Sequence, residues 1–143
     1  MDIRVGFRMV NFMSRDAFDL ARSVAAKSDP MITKYQHASV ILDRKGRIIA
    51  HGKNHYAGHL TFADDGLGII RKTVHSEIDA LSKVNIRRLE DATIINYART
   101  NVSAILAMPC ENCWPLLRRL GFKKVFYTIR SMTDAPTWKE SYF

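Results

Sequence analysis

Val74-His75-Ser76-Glu77 and, further along, Pro109-Cys110-Glu111-Asn112-Cys113 decide how the rest of this sequence reads. One imidazole and two thiols are the three protein ligands of an open metal site, with a fourth tetrahedral position left for water. Glu77, two residues past the histidine, stands where a carboxylate can move protons for that water without binding the ion. Both cysteines of the chain lie in Cys110-x-x-Cys113, so no disulfide framework is indicated. A thioredoxin-like redox pair is one competing reading, but it expects the motif after an early strand and leaves His75 and Glu77 idle. A closed structural zinc site with His51, His55 or His59 as fourth ligand is another, and it gives Glu77 and Pro109 no part. His55, His59 and Asp64 also offer donors for a second ion.

The 143 residues are 47% hydrophobic and 25% charged, a globular composition of a length suited to one domain over 1–143. No repeat or low-complexity linker divides the chain. The longest apolar runs are of strand length, which argues against a membrane partner. The first residues lack a continuous apolar segment with a cleavage site, so a cytoplasmic location is the expectation. An excess of 22 Lys+Arg over 14 Asp+Glu gives a net charge of +8. That balance favours phosphate-bearing partners, from a nucleotide to a nucleic acid. The basic residues are spread out, with local clusters at Arg44-Lys45 with Arg47 and at Arg118-Arg119 with Lys123-Lys124.

Periodicity predicts a helix from Ser14 to Lys27, capped by Ser14, with Phe18, Ala21, Val24 and Ala25 on its inner face. Ser28-Asp29-Pro30 ends it. His37–Asp43 and Arg47–Gly52 read as a hairpin around a glycine-containing turn. The stretch from His55 to Thr73 lacks clear periodicity and reads as a long functional loop, with a short helix near Leu67 to Ile70 as the alternative. A second helix is expected from His75 to Val84, bringing His75 and Glu77 in on its first turn. Ala92–Ala98 is a strand, Pro109 opens a third helix that Gly121 stops, and Lys123–Thr128 is the next strand. A fifth strand around Trp138 to Tyr142 must run antiparallel or sit at an edge. The order α-β-β-α-β-α-β predicts an α/β fold, a three-layer α-β-α domain with a mixed sheet of four to five strands. If the later strands are parallel, right-handed crossovers set the second and third helices on one face, with His75 facing Cys110 and Cys113. Helix N-termini there favour thiolate over thiol.

H-x-E followed by P-C-x-x-C is the signature of zinc-dependent nucleobase deaminases. The chain resembles the cytidine/deoxycytidylate deaminase superfamily over most of its length, from about Phe12 to Thr128. Phe12-Met13 with Ala21, Ala25 and Ser28 resembles that family's first helix. His37-Ala38-Ser39-Val40-Ile41 followed by Gly46-Arg47-Ile48-Ile49 resembles its hairpin, and Gly52-Lys53-Asn54 its G-x-N. The resemblance implies a cytidine deaminase-like fold and one Zn2+ per chain on His75, Cys110 and Cys113. It implies Glu77 as the catalytic proton carrier, Asn54 as a contact to the substrate's sugar, and the main-chain N–H near Ser76 as a contact to the base.

Ser76 stands where the family often has Ala. Met108 precedes Pro109 where the tRNA-adenosine branch typically has Glu, and the stretch from Arg99 to Met108 is longer than in that branch. In these respects the chain is more similar to small phage-type or fungal-type relatives. The implied reaction is hydrolytic deamination of a cytosine nucleoside or nucleotide of the cytidine or dCMP type, with Arg71-Lys72 available to a 5′-phosphate. The alternative is deamination of cytosine in single-stranded DNA or RNA, or of adenosine in tRNA, with Tyr56, Phe62 and Tyr127 as stacking residues. A catalytically silent zinc module is the third reading. By analogy with the superfamily, a homo-oligomer is expected.

Overall fold

The computed structural model describes residues 2–5, 8–11, 15–27, 35–62, 69–100, 103–131 and 136–143; of 2–5, 8–11, 56–62 and 69–73 it describes the backbone alone. The strands are β1 (Asp2–Val5), β2 (Arg8–Asn11), β3 (Gln36–Leu42), β4 (Ile48–Lys53), β5 (His55–Phe62), β6 (Ile69–Val74), β7 (Thr93–Arg99), β8 (Lys124–Ile129) and β9 (Thr137–Tyr142). The α-helices are α1 (Arg15–Ala26), α2 (Ser76–Leu81) and α3 (Cys113–Arg119), with a 3-10 turn at Ile86–Arg88.

Five strands form the expected mixed sheet in the order β9-β8-β7-β3-β4, and β1 and β2 extend it beyond β9. Within it β7 and β8 are parallel, whereas β3 pairs antiparallel with both β4 and β7, and β9 pairs antiparallel with β8. The tail strand thus runs antiparallel, as its short connection requires. The β1–β2 hairpin is the addition, joined to β9 through Val5 opposite Trp138. Its four-residue strands are too short for alternation to stand out in sequence.

Strand alternation splits the core between two faces. Val40, Leu42, Ile95, Tyr97 and Phe126 meet α1 on one side, where Phe18 packs edge-on against Phe126 and Trp138 at centroid distances of 5.5 and 4.7 Å. Ile41, Ile94, Val125 and Tyr127 meet Ala80 of α2 and Leu117 following Cys113 in α3 on the other. This is the three-layer α-β-α arrangement, with α2 and α3 on one face as the parallel β7–β8 crossover requires.

Three expectations are corrected. The long loop is largely a hairpin: β5 and β6 pair antiparallel, with a register irregularity between Tyr56 and Leu60. Ile69 and Ile70 belong to β6, which removes the short-helix alternative there, and Leu67 lies outside the described residues. Pro109 does not open α3, which begins at Cys113 with Asn112 as N-cap; the proline in the helix is Pro115. Pro115 is the third helical residue, where the N–H it lacks has no intrahelical acceptor. Ser14 and Ser28–Pro30, read as the cap and stop of α1, lie outside the described residues. Gly121 follows α3 with φ 99°, a left-handed conformation suited to glycine, and ends it as expected. Among the described residues no helix is long and apolar enough to cross a membrane.

Candidate metal centre

The site lies at the end of the sheet marked by Lys53 and Arg99, where α2 begins. His75 is the N-cap of α2, with extended backbone, so Ser76 and Glu77 occupy the first turn. Two contacts fix that turn against the sheet. Gly52 of β4 meets α2 so closely that a Cβ there would fall 2.6 Å from the Ser76 carbonyl oxygen and onto the backbone N of Ala80. Asp79 reaches back, accepting from the Lys53 N–H at 3.0 Å, from Lys83 Nζ at 3.2 Å, and lying 3.1 Å from His55 Nε2. Burial raises the Asp79 carboxyl, but these partners outweigh it and hold the group below its ordinary range.

Cys110 and Cys113 come from the segment that follows β7. That segment is stitched to the sheet by main-chain bonds from Ile105 N to Ala98 O and from Ala107 N to Thr128 O, both 2.9 Å. A helix-like bond from Trp114 N to Cys110 O, also 2.9 Å, keeps both thiols on one side although Cys110 precedes the helix. The Cys113 N–H donates to Cys110 Sγ at 3.3 Å.

Nδ1 of His75 lies 3.7 Å from Cys110 Sγ and 3.6 Å from Cys113 Sγ. A tetrahedron with Zn–S near 2.3 Å and Zn–N near 2.0 Å has N···S edges of about 3.5 Å. His75, Cys110 and Cys113 are therefore positioned to hold a zinc ion, and one imidazole with two thiolates is a donor set that zinc favours. They are the group of potential ligands found among the described residues. His55 is turned to Asp79 and His51 is exposed on β4, so neither joins the cluster as a fourth ligand. The side chain of His59, and Asp64, lie outside the described residues.

At Cys113 burial opposes the thiolate preference expected of the helix start. Burial pushes its thiol strongly upward, and the Glu77 charge and bonds with Cys110 and Glu77 add to the shift. A bound cation would favour the thiolate over the thiol.

Glu77 is only 7% exposed, and its Oε1 accepts from Ser76 Oγ at 2.8 Å and lies 3.4 Å from Ser39 Oγ. Ser39 is fully buried on β3 and sits 2.7 Å from both Ser76 Oγ and Asn96 Oδ1 of β7. Glu77, Ser76, Ser39 and Asn96 thus form a continuous polar chain beneath the metal centre. Sequence reading missed Ser39 and Asn96. The available signal was period two: both share the sheet face of Ile41 and Ile94, where polar residues are out of place unless they bond one another. His37 lies on the same face. Burial lowers its imidazole, the Glu77 charge partly offsets this, and His75 lowers it further, so it is neutral at pH 7.

Asn54 follows β4 at the same end of the sheet. Its Oδ1 accepts from the His37 N–H at 3.0 Å and its Nδ2 donates to Tyr35 O at 2.9 Å, so it ties down the start of β3. The Ser76 side chain points into the buried chain, while its main-chain N–H, at the first helical position, has no intrahelical acceptor. Tyr127 is a core residue, 4% exposed, with its hydroxyl 3.3 Å from Ser141 Oγ. The side chains of Tyr56, Phe62, Arg71 and Lys72 lie outside the described residues.

None of the curated proteins compared with the chain matches it. The family model for the cytidine and deoxycytidylate deaminase zinc-binding region matches residues 13–129, from the start of α1 through β8 and across both metal motifs. With a match over most of its length, and with three ligands set at zinc spacing, the chain belongs to the cytidine and deoxycytidylate deaminase family.

Proposed function

We propose that the protein hydrolytically deaminates a free cytosine nucleoside or nucleotide of the cytidine or dCMP type to the uracil form, releasing ammonia. The carrying observation is the buried Glu77 carboxylate beside a three-ligand zinc cluster. Zinc held by His75, Cys110 and Cys113 supplies the Lewis acidity that makes water a nucleophile near neutral pH. In this reading Glu77 takes a proton from the attacking water, gives it to ring N3, and then delivers a second to the departing amino group. Water and the cytosine ring become ammonia and the uracil ring. The Ser76 N–H meets the polar edge of the base, and Asn54 meets the sugar while holding the main chain of His37.

The polar chain suits a carboxyl that gains and loses a proton. Ser39 and Ser76 each have one hydroxyl proton. When Glu77 is ionised, Ser76 donates to it and Ser39 donates to Asn96 Oδ1. When Glu77 holds a proton, it donates to Ser76, Ser76 donates to Ser39, and Ser39 still donates to Asn96 Oδ1.

A free nucleotide is favoured over a polynucleotide because Tyr127, one of three side chains available for stacking on a strand, is committed to the core. The remaining part of the proposal is a cytoplasmic homo-oligomer; free Cys110 and Cys113 suit a reducing setting, and light scattering reads the assembly. The deciding experiment measures ammonia and uracil products over cytosine, cytidine, deoxycytidine, CMP, dCMP and dCTP. Turnover of a nucleoside or mononucleotide is expected. Turnover of none of them, with C-to-U conversion in a single-stranded oligonucleotide, would transfer the activity to a polynucleotide.

A further inference from the structure

At the other end of the sheet from the metal centre, the turn after β3 and the 3-10 turn after α2 enclose an open cleft of about 370 Å³. It is lined by Asp43, Arg44, Lys45, Arg47, Arg87, Arg88 and Glu90. Five cations and two carboxylates share this space. Asp43, which is buried, organises two of the cations: its Oδ2 lies 2.8 Å from Arg47 Nε and 3.6 Å from a terminal nitrogen of Arg88. Its Oδ1 accepts from the Lys45 and Arg47 N–H groups at 2.9 Å each, which fixes the turn.

Arg44, Lys45 and Arg87 have no such partner among the described residues, so the cleft carries uncompensated positive charge. Gathering like charges around one concavity is unfavourable unless an anion joins them. Arginine's planar fork matches phosphate oxygens in pairs, and lysine adds a point charge. Asp43 lies four residues beyond Ser39, about 13 Å along the strand at ~3.3 Å per residue. The cleft is therefore separate from the zinc cluster.

We propose that this cleft binds closely spaced phosphate groups, as carried by a nucleoside triphosphate or a phosphodiester strand. The site goes beyond the deaminase reaction and stands whether or not the substrate reading does.

The test follows backbone amide NMR shifts of the zinc-loaded protein while inorganic tripolyphosphate is added, with zinc content checked afterwards because the probe chelates metal. Saturable shifts at residues 43–47 and 86–90 are expected. Arg44→Ala with Arg87→Ala should weaken binding at least about tenfold. Arg118→Ala with Arg119→Ala, which removes two charges from the exposed side of α3, should weaken it far less. Guanosine triphosphate and a thymidine octanucleotide distinguish the sources: displacement of tripolyphosphate by the triphosphate at equal or lower concentration assigns a free nucleotide, and tighter displacement by the oligonucleotide assigns a strand. No saturable shift in the cleft, shifts confined to residues 75–77 and 110–113, or equal loss in the two double variants would each overturn the proposal.

Discussion

Gly52→Ala tests the contact that places the metal centre. The new Cβ would lie 2.6 Å from the Ser76 carbonyl oxygen and 2.9 Å from Ala80 Cα, against an ordinary contact that begins near 3.4 Å. The atoms it meets are main chain, so no side chain can swing aside. Strand and helix must part by about 1 Å, several times the ~0.2 Å within which ligand distances hold a metal well. Overpacking of this kind costs about 1–3 kcal/mol. For a chain of this size that is a fall in melting temperature of about 3–10 °C. Zinc should be retained less tightly, because His75 caps the displaced helix. Hydrogen exchange at the Lys53 amide should quicken as its bond to Asp79 stretches. Melting curves, a competitive zinc titration and amide exchange read the three effects. A variant that melts within about 1 °C of wild type, with unchanged zinc affinity and Lys53 protection, would refute the account.

Glu77→Gln should keep zinc at one per chain yet lose turnover on whichever substrate the panel identifies, by about 10²-fold or more; metal analysis beside an ammonia assay separates the two. Ser39→Ala leaves Asn96 and Ser76 each short of a partner, which should cost about 1–3 kcal/mol by chemical denaturation without changing zinc content. Because the Cys113 thiol is pushed upward, it carries its proton at neutral pH, and zinc binding must displace it. Calorimetry in buffers of different ionisation enthalpy should show release of at least one proton per zinc, with affinity rising as pH rises. Asp79 is held below the ordinary carboxylate range, so its stabilisation is present above that range and is lost as pH falls through its lowered value. The melting temperature of Asp79→Asn should lie below wild type at pH 7, and the gap should narrow progressively as the pH falls below about 4.

The ligands were legible because metal chemistry restricts residue type and spacing severely: His75, Cys110 and Cys113 meet as expected. The hairpin of β3 and β4, the parallel β7–β8 pair and the antiparallel tail strand were legible from alternation and connection length. The β5–β6 hairpin was not, because Gly58 and the register irregularity between Tyr56 and Leu60 break alternation in its first arm. Pro109 misled for a related reason. A proline before a helical stripe suits the first helical position, yet the chain spends three more residues reaching Cys113, and Pro115 takes the tolerated place inside the helix. Ser39 and Asn96 were missed because their partnership is a cross-strand register, Ser39 opposite Asn96, that appears only once the strands are paired.

The stitched segment over residues 103–110 has an evolutionary consequence. Its place is set by main-chain bonds to Ala98 and Thr128, supported by the Thr128 hydroxyl donating to the Ile105 carbonyl at 2.7 Å, while the side chains of Leu106 and Met108 face outward. Backbone bonds are indifferent to most substitutions. The exposed positions near the metal ligands, Leu106 and Met108, can therefore change character while the cysteines stay in register. Selection has here a stretch in which the surroundings of the reaction can be rewritten without dismantling the machinery that performs it.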